Sequence, residues 1–141
     1  MASRFLLGLA SLSLALLCSC PVFVESDLRA DAQVVINQAV AATQGVIKAA
    51  KSVQTGGNRD IVETCIETSG DAIDNLNDSK ELLKARDRAS IDTLKAKVAG
   101  ALTDVGTCDD EFGDSEPPQV AAATKKAEAL INQLLVIVNK L

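Results

Sequence analysis

The sequence predicts an all-α protein, an up-down-up-down four-helix bundle, and three observations support this fold class. Four stretches carry apolar residues at steps of three and four, which gives each predicted helix one buried stripe. Aromatic residues make up only 2% of the chain, so there is little of the aromatic and β-branched alternation that is typical of strands. The connections between the stretches are short, which favours antiparallel neighbours.

Residues 1–26 precede the predicted bundle and are typical of a secretory signal peptide. Arg4 is followed by an apolar run from Phe5 to Leu17, which is too short to span a bilayer. We expect cleavage between residues 20 and 26, and a single domain over residues 27–141. One alternative is that this segment forms a buried helix of the fold. The other is that residues 17–20 belong to a bacterial lipoprotein signal.

The first two predicted helices are bounded by capping residues and glycine. Helix one starts at Ser26 or Asp27 and ends before Gly56-Gly57. Helix two opens with a spacing like that of a capping box, Asp60 to Glu63, and its Gly70 is expected to let another backbone approach closely. The apolar stripes are Leu28, Ala32, Val35, Ala39, Ala42, Val46, Ala50 and Val53 in helix one, and Val62, Cys65, Ser69, Ala72, Leu76, Ser79 and Leu83 in helix two.

The last two predicted helices are separated by an acidic linker from Asp109 to Ser115. Ser90 is the expected N-cap of helix three. Pro117-Pro118 suits the first turn of helix four, where the fixed φ of proline is tolerated. The stripes are Ile91, Leu94, Val98, Ala101, Val105 and Cys108 in helix three, and Val120, Ala123, Ala127, Leu130, Leu134, Ile137 and Leu141 in helix four.

Two of the four cysteines lie in the predicted signal segment, which leaves Cys65 and Cys108 in the folded domain. An isolated pair in a secreted chain is expected to form a disulfide. In antiparallel helices two and three, both cysteines lie about 27 Å from the shared turn, so they meet at the same level. The chain contains no histidine that could complete a zinc site, and we expect no metal and no cofactor.

The composition limits which function classes are open. With a formal net charge of −5, the chain repels nucleic acid and anionic membranes and attracts a basic protein partner. Without histidine, no Ser/His or Cys/His nucleophile can be built, and no glycine-rich phosphate loop occurs. We therefore expect no catalytic residues and no enzyme activity, and we expect a monomer. Asn77 heads an acceptor pattern for N-glycosylation, Asn77-Asp78-Ser79.

Three segments resemble the plant invertase and pectin methylesterase inhibitors. Residues 65–67 and 71–76, with Ser79 beyond them, are similar to the second bundle helix of that family, although Ser69 stands where a tyrosine is usual. Residues 99–103 and 107–112 look like the family's Ser-Ala-Ala-Leu-Thr element and the Thr-Cys-x-Asp-x-Phe that follows it. Residues 132–137 resemble the closing Asn-x-Leu-x-x-Ile stretch.

Two departures from the family pattern bear on function. Family members typically begin with a disulfide-closed α-hairpin, and with Cys18 and Cys20 in the predicted signal segment no cysteine pair is left to form it, which puts any function of that hairpin in doubt. The Pro-Lys-Phe element associated with invertase inhibition is absent from residues 85–93. This absence favours pectin methylesterase as the target.

The resemblance implies a secreted apoplast or cell-wall protein that binds pectin methylesterase and occludes its substrate cleft. The implied contact residues are Glu67, Asp71 and Asp74, which share one side of helix two, and Thr107 and Asp110 near the end of helix three. The alternative target is acid invertase. From another class, a non-inhibitory secreted bundle with an Ala-rich core could bind an apolar ligand. A degenerate member that binds nothing, with these acids as an ordinary solvated face, is also open.

Overall fold

A computed structural model describes residues 21–141, and within them the chain is all-α, as predicted. The helices are α1 (Pro21–Ser52), α2 (Arg59–Leu82), α3 (Arg88–Phe112) and α4 (Pro118–Val138), with a short 3-10 turn at Gly113–Ser115. α1 packs against α2 and α4, and α3 packs against the same two helices, which closes a four-helix bundle. None of the described helices is long and apolar enough to cross a membrane.

The predicted signal segment lies outside the described residues up to residue 20. Residues 21–26, within the expected cleavage range, form the first turns of α1, so this helix begins earlier than the predicted Ser26. Arg29 fixes the start of α1 to the end of the neighbouring helix α2. Its Nη1 donates to the carbonyl oxygens of Leu83 at 2.5 Å and Ala85 at 2.8 Å, and its Nη2 donates to Glu25 Oε1 at 2.7 Å. The guanidinium therefore serves carbonyls that the C-terminus of α2 leaves without a helical partner.

The predicted stripes agree best with the core in α2 and α3. All seven predicted positions of α2 are buried, and in α3 only Ile91 is half-buried. α1 buries Ile36 and Thr43 in addition to the predicted residues, while Leu28 and Val53 are half-buried.

In α4 the predicted stripe is wrong at several positions. Ala123, Leu130 and Ile137 are half-buried, and the residues that follow them, Thr124, Ile131 and Val138, are buried instead. Much of the circumference of α4 is apolar, so more than one stripe fits its sequence. Contact with α1 and α3 keeps the predicted Val120, Ala127 and Leu134 in the core and moves the position that follows each of them one residue further along.

Several predicted helix ends also differ in the structure. Glu63 pairs with Arg59 at 2.8 Å instead of closing a capping box. Asn58 precedes α2 and holds the loop by accepting the Thr55 N–H at 2.6 Å. Asp87, not Ser90, is the N-cap of α3, and its carboxylate accepts the Ser90 N–H at 2.9 Å. The hydrogen bonds that Ser90 donates to Asp87 lower the pKa of this carboxyl group.

Two further expectations are corrected. The predicted linker from Asp109 is helical as far as Phe112, because the buried Phe112 ring adds another core contact at the end of α3. Gly70 does not admit a close backbone, since nothing lies within 4 Å of the position that a Cβ would take.

Candidate partner-binding surface

The three acidic residues predicted on α2 are all exposed. Glu67, Asp71 and Asp74 lie away from the buried stripe, and none forms an ion pair among the described residues. Their carboxylates thus keep their full charge available to a partner. The exposed Asn77 follows them on the same helix, but the hydroxyl of its acceptor triplet, on Ser79, is buried and donates to the Asn75 carbonyl oxygen at 2.7 Å.

The predicted residues of α3 lie next to the disulfide. Cys65 and Cys108 are bonded as predicted, with their Cα atoms 4.5 Å apart, and both are fully buried. Thr107 is half-buried and its hydroxyl donates to the Thr103 carbonyl oxygen at 3.0 Å, whereas Asp110 is exposed. The disulfide therefore fixes the end of α3 beside the first third of α2.

A groove between α2 and α3 brings two of the five predicted residues to one surface. Asp71 lies on the same side of α2 as Asn75, whose Nδ2 donates to Asp104 Oδ2 of α3 at 2.9 Å. Thr107 lies one turn beyond Asp104 on α3, so it borders the same groove as Asp71. Lys97 closes the other end of the groove through a 2.8 Å ion pair with Asp78.

The other three predicted residues face different directions. Glu67 and Asp74 point outward from α2, roughly opposite the core, because an α-helix has 3.6 residues per turn. Asp110 is exposed near the end of α3, and its charge contributes, after burial and Asp109, to the raised pKa of Glu128 on α4. The five residues therefore form a band around α2 and α3 and not one compact cluster.

The contact between Asn75 and Asp104 was not predicted from the sequence. A Cβ at Gly100 would lie 3.3 Å from Asn75 Nδ2, so this glycine leaves room for the amide that bridges the two helices. The spacing of Asp104 and Thr107, three residues apart on a helix, is the sequence signal that places both on one side.

A carboxyl cluster, consisting of Asp109, Glu116 and Glu128, lies where α3 leads into α4, and it too was not predicted. Asp109 Oδ1 and Glu116 Oε1 are buried and have no donor among the described residues. Burial, followed by hydrogen bonding and charge repulsion from Asp109, raises the pKa of Glu116 to about 7. Burial, Asp109 and Asp110 likewise raise the pKa of Glu128, and Lys125 opposes both shifts. The two carboxyl groups of Asp109 and Glu116 can share a proton.

The described residues contain no group of three or more His, Cys, Asp or Glu side chains that could hold a metal ion. A hollow of about 410 Å³ lies between α1 and α4, lined by Gln38, Ala41, Ala42, Lys126 and Leu130. Ala41 and Lys126 are exposed, so the hollow lies on the surface and not within the core. What the surface offers is a set of charged groups on a rigid bundle.

Comparisons with known proteins find one family and several relatives. The family model described as "Plant invertase/pectin methylesterase inhibitor" matches residues 17–138. A pectinesterase inhibitor of Actinidia deliciosa is 33% identical over 137 residues, which cover 93% of this chain and 72% of that protein.

Two solved structures share the fold. The crystal structure of a pectin methylesterase inhibitor from Arabidopsis thaliana aligns with a TM-score of 0.69 and 23% identity, covering 86% of this chain and 85% of that one. A mutant form of a pectin methylesterase inhibitor from Arabidopsis aligns with a TM-score of 0.70 and 23% identity, covering 86% and 87%.

Proposed function

The chain belongs to the plant invertase/pectin methylesterase inhibitor family, and from this premise we propose that it is a secreted inhibitor of pectin methylesterase, without catalytic activity of its own. It binds the enzyme as a folded bundle and covers the substrate cleft. The observation that carries this proposal is the row of exposed, unpaired carboxylates on Glu67, Asp71 and Asp74, beside the end of α3 that the disulfide holds in place.

The charges and the rigidity of this surface fit a binding function. Carboxylates without an internal cation attract a basic partner from a distance, which raises the association rate. Helices joined by a buried disulfide lose little conformational freedom on binding, so less of the interaction energy is spent on ordering. Asp71 and Thr107 at the α2–α3 groove, with Glu67, Asp74 and Asp110 around them, are the contact residues of the proposal.

Secretion and the mature chain are part of the same proposal. The signal is cleaved between residues 20 and 26, residues 27–141 contain the inhibitor domain, and the protein works as a monomer in the apoplast. Within the cleavage range, a cut near residue 20 keeps Glu25 and its 2.7 Å ion pair with Arg29, whereas a cut after Ser26 removes this carboxylate. The bonds from Arg29 to the carbonyl oxygens of Leu83 and Ala85 remain after either cut.

The test is titration of the purified mature protein into a pectin methylesterase assay, with acid invertase in parallel. We expect loss of esterase activity at a ratio near one to one and no effect on invertase. Replacing Asp71 and Asp74 together by Asn should weaken inhibition about tenfold or more, because charge-assisted contacts each contribute about 1.5–3 kcal/mol.

A matched control separates contact from overall charge. Asp27 and Asp31 are two exposed acids near the start of α1, and their double Asn variant removes the same charge while leaving inhibition within about twofold. Equal weakening by both double variants would contradict the contact residues. Inhibition of invertase instead of the esterase would change the target, and no effect on either enzyme would refute the inhibitor function.

A further inference from the structure

A hollow of about 250 Å³ lies at the turn between α2 and α3, at the opposite end of these helices from the disulfide. Cationic side chains dominate it, with one carboxylate and two apolar residues completing the lining: Arg86, Arg88, Lys95, Asp92, Ile91 and Leu141. Two of its cations belong to the Arg86-Asp87-Arg88 turn, which the proposed inhibitor function leaves without a role.

The cations of this hollow form no close ion pair among the described residues, although Arg86 contributes, after Arg29, to the lowered pKa of Glu25. Arg86 and Lys95 form no ion pair among the described residues, and Arg88 Nε is 3.7 Å from Asp92 with 92% of its side chain exposed. An exposed pair at that distance contributes little. By contrast, the nearby Lys97 is held by Asp78 of α2 at 2.8 Å.

The neighbouring acid Asp87 does not neutralise the hollow. Its two carboxylate oxygens accept the N–H and the O–H of Ser90 at 2.9 Å and 2.8 Å, so both are engaged in capping α3. Asp92 is thus the one side-chain anion among the residues that line the hollow, facing three cations. The side chains that line the hollow therefore carry a net positive charge, on a chain whose net charge is −5.

The charges of α3 are segregated along its length. Its basic residues lie in the first half, and its acids, apart from Asp92, lie in the second half, at Asp104, Asp109, Asp110 and Glu111. The proposed enzyme-binding surface and the basic hollow therefore occupy opposite ends of the helix.

We propose that this hollow binds a de-esterified polyuronide, the carboxylate-bearing saccharide chain that remains when the methyl esters of pectin are removed. The choice of saccharide rests on the proposed function; the preference for a multiply charged anion rests on the hollow itself. Arg88 and Lys95 are seven residues apart, or about 10 Å along the helix. A single small anion does not reach both ends of that span, whereas a chain with a carboxylate on each sugar does.

The chemistry of the lining fits such a chain. Guanidinium groups bind carboxylates through paired N–H donors, and a lysine ammonium adds a further charged donor. The half-buried Ile91 and Leu141 offer apolar surface to the C–H face of a sugar ring. Neutral, fully methyl-esterified chains lack the carboxylates and are not bound.

The experiment is calorimetric titration of the full mature chain at low ionic strength with a purified oligogalacturonide, and with its fully methyl-esterified form. We expect binding of the acid form only, which weakens as salt is raised. Replacing Arg86 and Lys95 by Gln should weaken it about tenfold or more, while Lys95→Arg retains it. Lys48 and Lys51, exposed on α1, provide the matched control: their double Gln variant should bind normally.

Four outcomes would overturn the proposal: no binding of the acid form, equal binding of the esterified form, equal weakening by the Lys48 and Lys51 variant, or binding of inorganic phosphate with the same affinity. The esterase assay separates this proposal from the inhibitor function. Inhibition without oligogalacturonide binding would refute only the proposal of saccharide binding at the hollow. Oligogalacturonide binding without inhibition would refute only the inhibitor function. The Arg86 and Lys95 variant is expected to inhibit the esterase as well as the unaltered chain does.

Discussion

Replacing Glu116 by Gln should remove a pH dependence of stability that originates where α3 leads into α4. The pKa of Glu116 is raised from its ordinary value of 4.5 to about 7 by burial and by Asp109. Between these two pH values the folded chain holds a proton that the unfolded chain has released. The stabilising effect of this proton is therefore complete below pH 4.5 and is lost as pH rises through about 7.

The size of this effect follows from the pKa and the setting of the carboxyl group. Each unit of pKa corresponds to about 1.4 kcal/mol. Water reaches part of Glu116, and Lys125 opposes the rise in its pKa. We therefore expect the proton on Glu116 to stabilise the folded chain by about 1 to 2 kcal/mol, which is less than the pKa difference alone would give. A loss of 1 kcal/mol lowers Tm by about 4 °C in a domain of this size.

The assay is thermal and urea unfolding between pH 4.5 and 7.5. At the acid end, Glu116→Gln should match the unaltered chain. At the upper end it should be about 1 kcal/mol more stable, since the Gln amide donates to Asp109 without carrying charge. Glu128, whose pKa is also raised, should leave a smaller residual slope of the same sign.

Glu111→Gln, an exposed acid at the same end of α3, is the control and should leave the slope unchanged. Parallel profiles for Glu116→Gln and the unaltered chain would refute the reasoning, because they would show that Glu116 is ionised throughout this range.

Four further predictions concern stability at a fixed pH. Replacing Cys65 and Cys108 by Ala should lower the free energy of unfolding by roughly 4 kcal/mol, because their bond closes a loop over a sequence separation of 43. Ser69→Ala should raise the free energy of unfolding by about 1 kcal/mol, since the fully buried hydroxyl has no hydrogen-bond partner among the described residues. Gly70→Ala should raise it by about the same amount, because alanine has the higher helix propensity. Arg29→Met should lower it by about 2 kcal/mol or more, because the side chain, only 11% exposed, donates to two carbonyl oxygens.

Urea unfolding of each variant against the unaltered chain measures these changes. Destabilisation by Ser69→Ala would show that the hydroxyl has a partner. An unchanged stability for Arg29→Met would show that solvent satisfies the carbonyl oxygens at the end of α2. For the disulfide, the control is the unaltered chain with its disulfide reduced. This chain should unfold at the same urea concentration as the double variant.

The sequence determined the fold class, the disulfide and most of the core of α2 and α3. In these helices polar residues separate the apolar ones, so only one stripe is possible and its period alone identifies it. The pairing of Cys65 with Cys108 followed from two lengths, because residues at equal distances from a shared turn meet in an antiparallel pair. The family resemblance also rested on residues that are read in order along the chain, and the comparisons confirm it.

Only the tertiary structure decided which apolar stripe of α4 is buried, how Arg29 is used and which acids come together. α4 is apolar around much of its surface, so its own sequence does not determine which residues are buried. Contact with the neighbouring helices buries Thr124 and leaves Ala123 half-buried. Glu116 acquires its raised pKa because the closed bundle buries its carboxyl group and brings Asp109 of α3 close to it, with a smaller contribution from Glu128 of α4. Periodicity is a property of one helix, whereas burial and charge coupling depend on distances between helices, and those distances are fixed only when the bundle closes.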